Sequence, residues 1–325
     1  MTISDGQHKA VFAFLGLIGI TVIIATCDVD GHLPVSTEIK ELPFVDPILK
    51  QCVMREAERQ GWTTSGRVTE LFCFNPDGEK VLDISGIENL VNLQVLDLAH
   101  NKIRDISLID ELPRLTRLDV GYNEIELVPF DKLRVTLQWL NLHHNNIRDI
   151  GSLASLQHLQ HLSLSHNLIR TIDGLGGLND LRSLNIRNND VQSIEALASL
   201  TGLREIDISD NYIEDLSPLR NNRQLANVFA ADNRIRDITP LEGLSRLEEL
   251  DLSGNNIVDI DGLENIITIR ILNLSNNRIE SVRPIEDLGE IETLEISGNP
   301  LPCSELRKLT RVLGPDVFET SCGRE

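Results

Sequence analysis

The chain has 325 residues and a formal charge of −20, from 50 acidic against 30 basic residues. That balance excludes a general nucleic-acid binder, which needs a basic face to displace counterions. It does not by itself specify a basic partner, because high net charge also serves solubility.

In chain order, residues 1–26 read as a targeting segment. Val11 to Ala25 is an apolar run with only Gly and Thr as interruptions. Fifteen residues are short for a membrane span, which needs about 20, and suit the apolar region of a signal peptide. The run ends in Ile24-Ala25-Thr26-Cys27, which resembles the bacterial lipobox, whose cysteine becomes the lipidated first residue. Thr26 is larger than the usual Gly or Ala, and Lys9 is the leader's only Lys or Arg, opposed by Asp5. An uncleaved anchor or an ordinary cleaved signal are the alternatives. Asp28 resembles the inner-membrane retention signal of enteric lipoproteins, which implies a periplasm-facing protein of the cell envelope.

Residues 27–45 read as a polar tether holding Pro34 and Pro43, and residues 46–92 as an N-terminal cap. The cap opens with Asp46-Pro47, a helix start, and continues into a strand from Val68 to Phe74. Cys52 lies on the helix and Cys73 on the strand, while Cys303 and Cys322 bracket the C-terminal segment, residues 300–325. Each pair would pin a cap and contribute about 3 kcal/mol, leaving the odd Cys27 for the lipid. Four buried thiols are the alternative. No zinc-ligand spacing is present.

Between the caps, residues 93–299 carry a ladder of asparagines 22 residues apart: Asn101, Asn123, Asn145, Asn167, Asn189, Asn211, Asn233, Asn255, Asn277 and Asn299. They define ten repeats, the last partial. In Leu247 to Thr268, Leu247, Leu250 and Leu252 alternate with Glu249, Asp251 and Ser253, the period of a half-buried strand. After Asn255 the apolar spacing becomes three, at Ile257, Ile260, Leu263 and Ile266, which fits 3₁₀ turns. One repeat cannot bury its apolar row alone, so the repeats stack. Each ladder asparagine then sits buried at the strand-to-turn corner, where its amide donates to and accepts from neighbouring backbone. Asp131 and Asn222 stand where leucine is expected and predict local distortions of the turn face.

The form Leu-x-x-Leu-x-Leu-x-x-Asn-x-Ile-x-x-Ile-x-x-Leu-x-x-Leu resembles the 22-residue class of leucine-rich repeats. That class is shared by bacterial internalins and the leucine-rich regulatory subunit of type-1 protein phosphatase. The corners Leu216-Ser217-Pro218-Leu219, Ile238-Thr239-Pro240-Leu241 and Val282-Arg283-Pro284-Ile285 are similar to those of internalins. The resemblance implies a curved α/β-type solenoid with a concave parallel sheet, a convex face of 3₁₀ turns and a helical N-terminal cap. It also implies a non-enzymatic module that binds a protein or peptide on its concave face, membrane-tethered here by the lipid. A regulatory subunit of an envelope enzyme and a surface adhesin are the alternatives.

No phosphate-binding loop, Gly-x-Ser-x-Gly elbow or His-Glu-x-x-His motif is present, so no catalytic residue and no cofactor is expected. Gly174-Leu175-Gly176-Gly177 reads as a turn, and the sequon Asn273-Leu274-Ser275 falls in a strand. Four columns of strand residues read as facing away from the core. Along them aromatic, imidazole and guanidinium groups gather at Arg117, Tyr122, Trp139, His143, His144, His161, His166 and Arg187. Exposed Trp, Tyr and Arg are enriched at binding hot spots, so these eight are the candidate partner-binding residues, centred on Trp139. His144 and His166 adjoin across neighbouring strands and could share a metal ion, but no carboxylate stands near them in the columns and no metal site is expected.

Overall fold

The computed structural model describes residues 36–314, apart from Pro76, Asp131, Arg134, Val135, Asp287, Gly289 and Glu290. The leader, Cys27, Asp28, most of the tether and Cys322 lie outside the described residues. Among those described, no helix is long and apolar enough to cross a membrane. The chain divides into two compact units, one up to Glu124 and one from Ile125.

The first unit opens with helix α1, Pro47–Gln60. Asp46 starts it: Oδ1 accepts the N–H groups of Ile48 at 2.8 Å and Leu49 at 3.1 Å, and Pro47 occupies the first turn, where its missing N–H costs nothing. Gly61 ends it at φ 70°. Leu49, Cys52, Val53 and Ala57 form the buried stripe, and a disulfide joins Cys52 to Cys73. The other oxygen of Asp46 accepts from Leu82 N at 2.8 Å and Asp83 N at 3.3 Å. One buried carboxylate thus ties the helix start to a segment 36 residues away.

Burial works to raise the pKa of Asp46, but the N–H groups of Leu82, Leu49, Ile48 and Asp83 overcome it and hold the value below the ordinary one. A depressed folded value stabilises above the unfolded value of about 3.9 and is lost as pH falls through the folded value. Asp46→Ala is therefore expected to cost about 2 kcal/mol near neutrality. In urea denaturation the gap between parent and variant should narrow steadily below about pH 4. A gap that does not change with pH would rule out the ionised cap.

Three parallel strands follow in the first unit: β1 Glu70–Phe72, β2 Val95–Asp97 and β3 Arg117–Asp119, paired in sequence order. The sheet therefore starts one strand before the repeats. The second unit holds β4 Trp139–Asn141, β5 His161–Ser163, β6 Ser183–Asn185, β7 Glu205–Asp207, β8 Asn227–Phe229, β9 Glu249–Asp251, β10 Ile271–Asn273 and β11 Thr293–Glu295. These too are parallel and in sequence order. The central residue of each strand is buried and aligned with its neighbours, as in the row Leu140, Leu162, Leu184, Ile206, Val228, Leu250, Leu272, Leu294. Each such side chain contributes about 1.5–3 kcal/mol by leaving water.

The strands are followed by short 3₁₀ helices, such as Ser107–Glu111, Gly151–Ser155 and Ser217–Asn221. Many are introduced by an aspartate that accepts the N–H two residues on: Asp105, Asp149, Asp215, Asp237 and Asp259. Part of the acidic excess is thus structural, because a short carboxylate mimics a backbone turn. The second unit ends in helix α2, Cys303–Leu313. Cys303 is disulfide-bonded, while Cys322, the partner expected for it, lies outside the described residues.

The distortion expected at Asn222 does not occur. The residue is wholly buried, and its backbone closes the turn onto Leu219 O at 2.9 Å as the leucines do elsewhere. Its amide nitrogen donates to Leu197 O at 3.2 Å and Leu200 O at 2.8 Å, so a polar side chain stitches to the preceding repeat instead of filling space. Asp131 is outside the described residues, and Phe130 beside it is wholly buried.

Candidate binding face

The chain must leave each strand and turn within a few residues, and this sets what most positions on the sheet face hold. The last strand residue is usually Asp or Asn, and its side chain accepts the N–H two residues on. Asp97 takes Ala99 N at 2.9 Å, Asp119 takes Gly121 N at 3.0 Å, and Asn185 takes Arg187 N at 3.0 Å. Asp207, Asp251 and Asn273 do the same. The next column is small and largely buried, as at Ala99, Ser165, Ser209 and Ser275. The residue before each ladder asparagine is left-handed, with φ between 52° and 58° at His100, Tyr122, His144, His166, Asn188, Asp210, Asp232 and Asn276. Glycine takes the same place at Gly254 and Gly298.

This corrects the reading of four outward columns. Three of them serve the corner, because a tight turn out of a sheet demands a short acceptor, a small residue and a left-handed residue in succession. Gly, Asn and Asp adopt positive φ readily and His more often than most, whereas a tyrosine does so at a cost. The informative residues are those that break the local rule. His100, Tyr122, His144 and His166 place rings where the later repeats place Asn, Asp or Gly. His143 and Arg187 place long side chains in the small column.

In the second unit, Trp139 on β4 is half-buried and in register with His161, exposed on β5. His144 and His166 stack face to face, with ring centroids 4.0 Å apart and planes 8° from parallel. His143 meets His144 edge-on at 5.5 Å, and its Nδ1 is hydrogen-bonded to Asn141 Oδ1. Arg187, exposed, is tied by Nε to the carboxylate of Asp210 at 2.8 Å. In this stack the two rings do not converge on a shared point. Imidazole lone pairs lie in the ring planes, so parallel rings aim them side by side and not at one point. Among the described residues no group of three or more His, Cys, Asp or Glu is placed to hold an ion.

In the first unit, Arg117 is exposed on β3, and Tyr122 stacks on His100 at 4.0 Å and 20°. Phe74 meets His100 edge-on at 4.9 Å. Phe72 and Phe74 are 40% and 47% exposed, and neither they nor His100 are among the eight expected residues. The signal was there: Leu71 and Cys73 are buried and alternate with the two rings. It lies outside the repeat window, which begins at Leu93.

The stacked parallel strands, the buried asparagine ladder and the 3₁₀ turns define a leucine-rich repeat solenoid. The pattern described as leucine rich repeats (2 copies) matches residues 91–132, 135–177, 180–221 and 223–265, just over half of the chain, and the chain belongs to that family. Among solved structures it is similar to an internalin, InlF, from Listeria monocytogenes, at 27% identity and a TM-score of 0.72, covering 87% of this chain and 90% of that one. Internalin C2 of the same organism is 29% identical with a TM-score of 0.57, covering 75% and 99%. The functional domain of InlJ, also from Listeria monocytogenes and described as including a cysteine ladder, shares the fold at 20% identity and a TM-score of 0.71, covering 88% and 63%. Comparison with curated proteins found no match.

Proposed function

We propose that the chain is a non-enzymatic protein–protein interaction module whose sheet face takes a protein or peptide partner. The observation that carries this is the run of rings held at positive φ. Four successive repeats keep His100, Tyr122, His144 and His166 at the left-handed place where the later repeats keep Asn, Asp or Gly. In the second unit the contact residues are Trp139, His143, His144, His161 and His166, with Arg187 oriented by Asp210; in the first they are Arg117 and Tyr122. The likeness to internalins supports an interaction role and leaves the partner open. The envelope location rests on the leader alone: Cys27 carries the lipid, and Asp28 favours the inner membrane.

Affinity capture from envelope extracts with the full chain tests the reading. Trp139→Ala should weaken retention of a specific partner at least about tenfold while leaving the melting temperature nearly unchanged. His166→Asn should hold or raise stability, since asparagine suits the left-handed turn, and should also weaken retention. Undiminished capture by both variants of every partner that the parent binds would overturn the proposal.

A further inference from the structure

The sheet face of the first unit carries more exposed ring surface than its repeats need. Phe72 and Phe74 project from β1 and the residues just after it, and neither is required by the core, which takes Leu71 and Cys73. Phe74, His100 and Tyr122 form a continuous ribbon across three successive turns, edge-on at 4.9 Å and then stacked at 4.0 Å. Tyr122 is itself 40% exposed. Two of the three rings are held at φ 58° and 53°.

Carboxylates lie alongside. Phe72 is in register with Asp97, and Asp97 with Asp119. The titratable groups at this face are Glu70, Asp97, His100, Arg117, Asp119 and Tyr122, with Lys80 donating to His100 O at 3.0 Å, so acids outnumber permanent cations three to two. Burial raises the pKa of Asp97 and the like charge of Asp119 adds to it, while the Ala99 N–H and the nearby charge of Arg117 work against this. Elsewhere the repeat fills the same turn position with neutral asparagine at Asn141, Asn185 and Asn273, and with aspartate at Asp207 and Asp251. What is particular to the first unit is that two such aspartates, Asp97 and Asp119, stand in register on adjoining strands beside the rings.

We propose, building on the sheet-face reading above, that this part of the first unit docks a cationic segment of a protein partner. A lysine or arginine side chain would lie along the Phe74–His100–Tyr122 ribbon with its charged end toward Asp97 and Asp119. Rings alone would accept any apolar group. The adjoining acids penalise an apolar or anionic occupant and favour a cation, whose stem covers the rings while its head meets the carboxylates. The charge of −20 on the whole chain steers such a partner inward and makes the encounter sensitive to salt.

The test is selection of a random displayed peptide library on the full chain, followed by binding of the enriched peptides to variants. Enrichment of Lys or Arg beside aliphatic or aromatic residues is expected. Binding should fall at least about fivefold with Phe74→Ala and with Asp97→Asn, weaken as salt rises, and survive Ile271→Ala on β10. Phe74 is exposed, and the amide introduced by Asp97→Asn would keep the turn acceptor, so both variants should fold, as denaturation will check. Enriched peptides that are acidic or purely apolar, or that ignore Phe74→Ala and Asp97→Asn, overturn the proposal. If they are released by Trp139→Ala alone, the sheet-face reading stands and this site does not. If no peptide enriches, both fail.

Discussion

Replacing Asn189 by alanine should destabilise the chain by about 2–4 kcal/mol. Its amide nitrogen donates to Leu164 O at 3.0 Å, Ile186 O at 2.9 Å and Arg187 O at 3.2 Å, and its oxygen accepts from Ile169 N at 3.0 Å. Alanine would strand that N–H and those carbonyls in a buried corner. An unpaired buried group costs roughly 1–3 kcal/mol, and only some of these can find water. Asn189→Asp should be worse at neutral pH, because a carboxylate would face three carbonyl oxygens in a dry site. Its folded pKa would be raised, so the lost stability should partly return as pH falls and the acid can donate. Asn299 makes similar bonds at the end of the stack, but it is only half-buried. Asn299→Ala should therefore cost about half as much. Denaturation midpoints of the three variants check this ordering, and equal small losses at 189 and 299 would refute the buried-corner role.

Gly86→Ala should cost about 2–5 kcal/mol, against about 1 kcal/mol for Gly61→Ala. Both glycines are left-handed, at φ 106° and 70°, and a side chain there costs roughly 1–2 kcal/mol wherever it points. Their surroundings separate them. A Cβ on Gly86 would meet Phe44 Cδ1 at 2.8 Å, its Cα at 2.9 Å and its N at 3.0 Å, whereas one on Gly61 would meet nothing within 4 Å. Two of the atoms at Gly86 are backbone and cannot swing aside, so an overpacking cost of about 1–3 kcal/mol adds to the strain. Thermal melts of the two variants give the comparison directly. Similar losses would mean that the Phe44 segment yields easily.

The repeat, its period and its strand register were legible because 22-residue spacing leaves one way to align the leucine rows. The alignment of Trp139 with His161 follows from the same arithmetic. The use of 3₁₀ turns followed from apolar residues three apart. What each sheet-face position does was not legible. Asp97, Asp119 and Asn185 looked like free surface, and their hydrogen bonds to the backbone two residues on depend on the path of the corner. His144 and His166 looked like strand residues, but they occupy a left-handed turn where their rings stack.

By itself the sequence determined that the chain must stack, which residues fill the core and where the asparagines turn the corner, because these follow from periodicity and from the cost of exposed apolar rows. Only the tertiary structure decided three further things. Asn222 enters the core because two carbonyls of the preceding repeat lie within reach of its amide. Asp46 joins the start of α1 to residues 82 and 83 because the fold returns there. Phe74, His100 and Tyr122 form one ribbon because parallel pairing sets β1 beside the first repeats and brings rings more than 20 residues apart to van der Waals distance. Each depends on proximity between residues 20 or more apart in the chain, which composition and spacing do not encode.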